Sequence, residues 1–234
     1  MKQEEIFSAT EADAWFYRNK NALLSKKKEQ DTIYLKIAEI IPELKIKRIL
    51  EIGCSNGYRL DWFAKEFDIK CIGIEPSKAA VEDGIQRYKS TNNVKLIHSK
   101  VDESFWQNEV FQILGSNSFD LIIFGHCFYL ISPELYFSVV MQADRILDKA
   151  GIVAIFDFDS YPQKRKYHHY EKQDLWSYKM DFSRLFTSHP MYKLVYKKYT
   201  HYDQGISLGD PHNDCSLAMI RKINKDNAFI QIKN

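Results

Sequence analysis

Ile49-Leu50-Glu51-Ile52-Gly53-Cys54-Ser55-Asn56-Gly57 decides how this chain is read. It is an apolar strand that leaves a core and turns sharply into a helix. Glycine at both ends of the turn lets the backbone approach a ligand where a Cβ would clash. About 20 residues further on, Glu75 ends the next apolar run, where a carboxylate can accept two hydrogen bonds from a ribose diol. The turn alone would be only a tight turn. Strand, glycine turn, helix and distal carboxylate together point to a nucleoside-type cofactor.

Outward from that stretch, apolar residues recur at helical spacing over 33–41. Pro42 should end that helix, because its ring excludes the preceding residue from the α region. Strand-like segments stand at Arg48–Ile52, Lys70–Glu75, Val94–His98, Phe119–Gly125 and 152–158, with room for a helix between them. That alternation implies crossover connections and a mostly parallel sheet. Ser77 is an N-cap candidate for a helix over 78–88. Pro133 opens a helix that should run to 147, before a turn at Ala150-Gly151. The Tyr-, His- and Lys-rich stretch 160–190 reads as an insertion, either a substrate lid or a solvated loop. Segments 192–202 and 215–222 read as an antiparallel hairpin. The expected fold is α/β: a Rossmann-like, doubly wound, mostly parallel seven-stranded sheet closed by a C-terminal antiparallel hairpin. One domain should span 1–234, with 1–30 as a helical N-terminal piece.

The motif resembles the class I S-adenosylmethionine-dependent methyltransferase superfamily. That family's first motif is an acidic residue, a spacer and a Gly-rich turn, matched by Glu51, Gly53 and Gly57. The resemblance covers roughly residues 33–158. Asp120-Leu121-Ile122-Ile123-Phe124 with Gly125-His126 is similar to the family's fourth strand and following loop. Arg145-Ile146-Leu147-Asp148-Lys149-Ala150-Gly151 is similar to the approach to its fifth. The resemblance implies S-adenosyl-L-methionine as cofactor, held by Glu51, Gly53, Cys54, Ser55, Gly57, Glu75, Pro76, Val101, Gly125 and Arg18. Ser55 stands where many members have a middle glycine. Ser99-Lys100 stands where many have an acidic residue near the adenine, so adenine contacts would come from the Lys100-Val101 backbone or Asp102. A nicotinamide-binding domain is the nearest competitor. Its Gly-x-Gly-x-x-Gly spacing is missing, and Glu51 beside the turn suits a cationic methyl donor better than a pyrophosphate.

Trp15-Phe16-Tyr17-Arg18-Asn19 looks like the element that precedes the core in some small-molecule and sugar-modifying members, where a leading helix closes over the cofactor. Packing of Trp15 and Phe16 on the domain edge would explain it equally. Methyl transfer needs an acceptor held in line with the methyl group. A hydroxyl acceptor also needs a base, and His126, directly after the fourth strand, is the first candidate for it. It could instead be a hydrogen-bonded histidine shaping the pocket. Tyr129 is the second catalytic candidate, followed by Asp157 and Asp159. Tyr167, His168, His169 and Tyr170 crowd the insertion and could stack on a polar acceptor. Asp210-Pro211-His212-Asn213-Asp214 is a polar turn that turn chemistry alone explains.

Excluded classes narrow the acceptor. Gly125-His126-Cys127-Phe128 replaces the Asn/Asp-Pro-Pro-aromatic element of adenine and cytosine amino-methylating enzymes, and Cys127 does not follow a proline, so no nucleic-acid partner is expected. The formal charge of +2 across 234 residues gives no electrostatic case for nucleic acid or membrane. Cys54, Cys71, Cys127 and Cys215 form no CxxC pair, so neither a disulfide framework nor a metal is expected. The apolar runs are too short to span a bilayer and the N-terminus lacks a secretory pattern, which makes a cytoplasmic protein the expectation. The expected activity is methylation of a hydroxyl or amine on a small molecule, such as a sugar, sugar nucleotide or secondary metabolite. A cofactor-binding but catalytically silent partner protein is the alternative, and a nicotinamide-dependent oxidoreductase stands behind it. Oligomeric state is left open.

Overall fold

Strand β1 (Arg48–Ile52) is the centre around which the chain is wound. The computed structural model describes residues 2–101, 119–169, 175–202, 205–207, 209–210, 212–229 and 231–232; Asp102, Tyr170 and Pro211 lie outside them. Strands β2 (Lys70–Glu75), β3 (Val94–His98) and β4 (Phe119–Gly125) have the bounds that their apolar runs suggest. With β5 (Leu147–Phe158), β8 (Tyr192–His201) and β9 (Asp214–Lys222) they form one seven-stranded sheet in the order β3-β2-β1-β4-β5-β9-β8. The first five strands are parallel, and β9 pairs antiparallel with both β5 and β8. Strand order reverses between β1 and β4, so the crevice beyond their carboxyl ends is where a ligand belongs in such a sheet.

Both faces of the sheet are covered. Ile49, Leu121 and Ile123 pack with Ile37, Leu60 and Phe63 on one side, and Leu50, Ile122 and Phe124 with Val139, Ala143 and Ile146 on the other. Burial of each large aliphatic or aromatic side chain contributes about 1.5–3 kcal/mol. The helices are α1 (Gln3–Ile6), running through a π turn at Phe7–Glu11 into α2 (Ala12–Ser25), then α3 (Thr32–Leu44), α4 (Tyr58–Phe67), α5 (Lys78–Arg87) and α6 (Tyr136–Ile146), with short α7 (Arg184–Thr187) and α8 (Lys225–Ala228). Ser77 caps α5, its Oγ accepting the Ala80 N–H at 3.0 Å.

Three expectations need correction. Pro42 sits inside α3, which ends at Leu44 with Lys45 in the left-handed conformation. Only one intrahelical bond is lost to the ring, and Asp31 secures the other end by accepting the Tyr34 N–H at 2.8 Å. Ala150-Gly151 is an irregularity within β5 rather than a turn before it: the strand starts at Leu147, opposite Phe119, and the register shifts before Leu121 meets Ile152. A Cβ at Gly151 would lie 2.6 Å from Leu147 Cδ1, so a larger residue there would have to push the Leu147 side chain aside. The 160–190 stretch is not a plain solvated loop. It holds a second sheet, β6 (Gln163–Lys166) paired with β7 (Trp176–Lys179), and buries Tyr167, Leu175, Phe182 and Phe186.

Candidate functional site

The loop after β1 is built around backbone that only small or polar residues tolerate. Gly53 and Gly57 have φ of +75°, and Ser55 has φ of +52°. Gly53 and Cys54 donate their N–H groups to the Ile74 carbonyl at 2.8 and 3.2 Å, which ties the loop to the end of β2. A Cβ on Gly53 would come within 2.9 Å of Cys127 Cβ, so the loop also presses against the one after β4. Glu75 then receives the Ser55 N–H at 2.8 Å on one oxygen and the Ser77 N–H at 2.9 Å on the other. Each oxygen keeps capacity for another donor. Burial outweighs the two N–H groups and pushes the Glu75 pKa up to about 7.

A cavity of about 720 Å³ opens above this loop, lined by Gly53, Cys54, Ser55, Glu75, Pro76 and Val101, and continuing past Gly125 to His126 and Tyr129. Ser55 Oγ is buried on its wall with no hydrogen-bond partner among the described residues. An unpaired hydroxyl beside a buried carboxylate with spare acceptor sites fits a ligand bearing its own hydroxyls, as the ribose of S-adenosylmethionine does.

Glu51, Gly57 and Arg18 do not line that cavity, contrary to expectation. Glu51 is fully buried beneath the loop, and Arg59 takes one of its oxygens while the other has no partner among the described residues. Burial pushes the Glu51 pKa up, against the pull of Arg59. Arg59 is also gripped by Asp31, at 3.1 and 3.0 Å, and by the Tyr58 hydroxyl at 2.9 Å. Although burial opposes it, the guanidinium holds the Asp31 carboxyl well below its usual range, with Lys26 at 3.2 Å assisting. This buried network joins the start of α3, β1 and α4, and Lys26, Asp31 and Arg59 also reach the cavity wall. Sequence reasoning missed Asp31 and Arg59. The available signal was an arginine eight positions after Glu51, in the first turn of α4. Gly57 serves as the left-handed N-cap of α4, and Arg18 spends its guanidinium on buried Glu11.

At the other end, His126 has φ of +54° and its N–H donates to the Phe156 carbonyl at 2.7 Å. Its ring is edge-on to Phe156, Phe158, Tyr202 and Tyr129, with centroids 4.7–6.4 Å away. Burial among these rings, reinforced by the positive charges of Lys26, Arg59 and Lys179, lowers its pKa to about 3. The imidazole is therefore neutral at physiological pH. Its Nδ1 is 3.9 Å from the Asp157 carboxylate, beyond hydrogen-bond reach. Asp157 itself lies behind the loop, accepting the Phe158 N–H at 2.8 Å and the Tyr129 N–H at 3.4 Å, and burial raises its pKa to about 7. Asp159 pairs with Lys197 at 2.6 Å and accepts from Ser216 at 2.7 Å. The two aspartates are thus held by separate partners.

The N-terminal segment roofs the cavity, to which Phe7, Trp15 and Asn19 contribute. Phe16 instead packs inward, 1% exposed, so one helix contributes both to the cavity wall and to the core. Asp13 fastens α2 to the start of α5, accepting from Ser77 Oγ at 2.7 Å and the Ala79 N–H at 3.1 Å. Glu4 accepts the Ser132 N–H at 2.7 Å, and Gln3 bridges the Leu130 carbonyl and the Trp176 N–H at 2.7 and 3.0 Å. From the insertion, Tyr167 is buried beside Glu11 and Tyr129, and burial with the Glu11 charge raises its pKa. His168 and His169 pack on each other outside the cavity lining. Asp210 organises its own turn, accepting the His212 N–H at 2.8 Å.

Residues 49–151 match the family described as a methyltransferase domain. No curated protein matches the chain. Among solved structures, the 1,6-didemethyltoxoflavin-N1-methyltransferase of Burkholderia thailandensis, with 1,6-didemethyltoxoflavin and S-adenosylhomocysteine bound, is 11% identical with a TM-score of 0.68. That similarity covers 96% of this chain and 92% of the other. The N-methyltransferase NodS of Bradyrhizobium japonicum WM9, in complex with S-adenosylhomocysteine, is 14% identical with a TM-score of 0.55, over 89% and 98% of the two chains. An S-adenosylmethionine-dependent methyltransferase of Mesorhizobium loti is 12% identical with a TM-score of 0.59, over 84% and 100%. Among the described residues no helix is long and apolar enough to cross a membrane. Residues 49–151 thus match a methyltransferase domain, and the fold is shared with these structures along nearly the whole length of the chain.

Proposed function

We propose that the chain methylates a hydroxyl or amine of a small molecule bound between the sheet's carboxyl edge and the N-terminal roof. The observation that carries this is one continuous cavity reaching from Ser55 and Glu75 to His126 and Tyr129. Its volume, about 720 Å³, is in the range of small-ligand sites. The B. thailandensis enzyme, similar along most of its length, holds a small heterocycle together with the demethylated cofactor.

When bound, S-adenosylmethionine supplies an electrophilic methyl group on a sulfonium. The residues that would hold it are Glu75 and Ser55 at the ribose, the backbone from Gly53 to Ser55 and at Gly125, Pro76 and Val101 beside the base. His126 is neutral and a weak base, so its task is to accept a hydrogen bond from the acceptor and fix its orientation. Tyr129, beside Tyr167, borders the same space and donates to or orients the acceptor. The roof excludes water. Calorimetric titration with S-adenosylmethionine and S-adenosylhomocysteine, with NAD as a control, tests the cofactor half of this reading. Binding of the sulfonium pair alone is expected, and absence of binding by either would refute it. A His126→Ala variant that retains the cofactor yet leaves every measured methylation unchanged would remove His126 from the reaction.

A further inference from the structure

The two ends of the cavity differ in chemistry. The charged side chains on its wall, Lys26, Asp31, Arg59 and Glu75, gather around the loops that follow β1 and β2, and Lys100 stands just past neighbouring β3. Past β4, β5 and β8 the wall is made of rings, Tyr129, Phe156, Phe158 and Tyr202 around the His126 imidazole, and the nearby cations Lys26 and Arg59 are already paired with Asp31. Phe158 stacks on Tyr202 with an interplanar angle of 27° and meets Tyr129 edge-on at 5.3 Å. Ionisable groups described on this part of the wall are already engaged. Glu4 accepts the Ser132 N–H at 2.7 Å, and His201 lies 3.1 Å from Asp210.

One polar group there is idle. Thr200 lines the cavity there, and its Oγ1, buried just behind the wall, has no hydrogen-bond partner among the described residues. A buried hydroxyl without a partner is costly unless a ligand completes it. We infer that this end takes a neutral, planar aromatic or heteroaromatic acceptor, its ring among the aromatic side chains and its polar edge toward Thr200 and His126. This rests on the methyltransferase reading of the cavity and narrows its acceptor.

Competing chemistries fit poorly. A sugar nucleotide would bring a diphosphate, which calls for arginines, lysines or a cradle of N–H groups. A polyamine would need free carboxylates. A bare sugar would bury several hydroxyls against a wall whose described polar groups are few, and each unpaired one carries a penalty. A flat π system matches ring faces and edges without such a cost.

The test uses the full chain saturated with S-adenosylhomocysteine and titrated, by calorimetry and tryptophan fluorescence, with 2-naphthol, 4-hydroxyquinoline, UDP-glucose and spermidine. The inference expects the two planar probes to bind and the two charged ones not to. It also expects Thr200→Val, which keeps the side chain's shape, to weaken the planar probes by roughly 3- to 10-fold, the equivalent of one lost hydrogen bond. The same variant should leave S-adenosylhomocysteine affinity unchanged and, because it removes an unpartnered buried hydroxyl, should not lower the melting temperature. Tighter binding of UDP-glucose or spermidine, or no binding of either planar probe by cofactor-loaded protein, overturns the acceptor class alone. Failure of S-adenosylhomocysteine to bind in the preliminary titration would overturn the methyltransferase reading, and the acceptor class with it.

Discussion

Glu75 is the residue on which the cofactor half of the site turns. Both its oxygens are held by backbone N–H groups, yet burial leaves its pKa near 7 rather than at the ordinary 4.5. Replacing it with alanine removes hydrogen bonds to a charged acceptor, so Glu75→Ala should weaken S-adenosylhomocysteine binding by about 1.5–3 kcal/mol, read by calorimetry. The raised value also has a direction in pH. The ionised carboxylate is the form that accepts two ribose hydroxyls, so affinity should fall roughly tenfold between about pH 8 and about pH 6, and Glu75→Gln should flatten that profile. Stability of the free protein moves the other way. The folded state keeps this proton longer than the unfolded chain does, so the contribution is full below 4.5 and is lost as pH rises through about 7. Denaturant midpoints across that window should therefore decline less steeply in Glu75→Gln, whatever its absolute stability. The place of Glu75 at the end of β2 on the cavity wall was legible because its signal is local: a strand end a fixed distance after a glycine turn. Asp31 and Arg59 were not, because 28 positions separate partners that only the fold brings together. Arg18, whose neighbours suggested the site, is taken by Glu11 for a reason invisible in the linear pattern.

Elements were legible where hydrophobic periodicity is enforced from both faces. Strands β1, β2 and β4 are buried between two helical layers, so their apolar runs mark their ends residue for residue, while β3, half-buried at the sheet edge, keeps the bounds of its short apolar run. Pro42 and the start of β5 were misread because punctuation signals describe an isolated segment, whereas tertiary packing carried α3 past its proline and bent β5 around Gly151. The hairpin β6-β7 hides behind Gln163, Lys164, Arg165 and Lys166, a run with no apolar alternation. Packing between elements also sets costs. In α5 a Cβ on Gly84 would overlap the Asn56 carbonyl and Leu96. Gly84→Ala should thus destabilise the protein by about 1–3 kcal/mol in denaturant unfolding, despite the gain of roughly 1 kcal/mol in helix propensity. Arg59→Leu strips the partner from both Asp31 and Glu51 where α3, β1 and α4 meet, and should cost about 3–5 kcal/mol on the same measurement.

At the scale of the whole molecule, the cavity exists because the N-terminal segment closes on the sheet edge, with the inserted hairpin bracing that segment from outside. Their contacts are polar and specific, from Gln3 and Glu4 to the 130–132 loop, from Gln3 to β7, and from Asp13 to α5. A roof held by a few hydrogen bonds rather than a broad apolar interface can open without unfolding the core, which a site that binds a cofactor and an acceptor and releases both requires. Asp13 is the bond to break, since it joins α2 to the capped start of α5 through both Ser77 Oγ and the Ala79 N–H, whereas Lys20 pairs with Asp83 a turn further along and is half-exposed. In Asp13→Ala, amide hydrogen exchange should quicken across residues 3–25 while β1 and β4 keep their protection. The off-rate of S-adenosylhomocysteine, followed by stopped-flow displacement, should rise several-fold. Faster exchange without a faster off-rate would mean that α2 packs on the domain edge and does not gate the cofactor. An unchanged exchange pattern would mean that Phe16, rather than Asp13, anchors the roof.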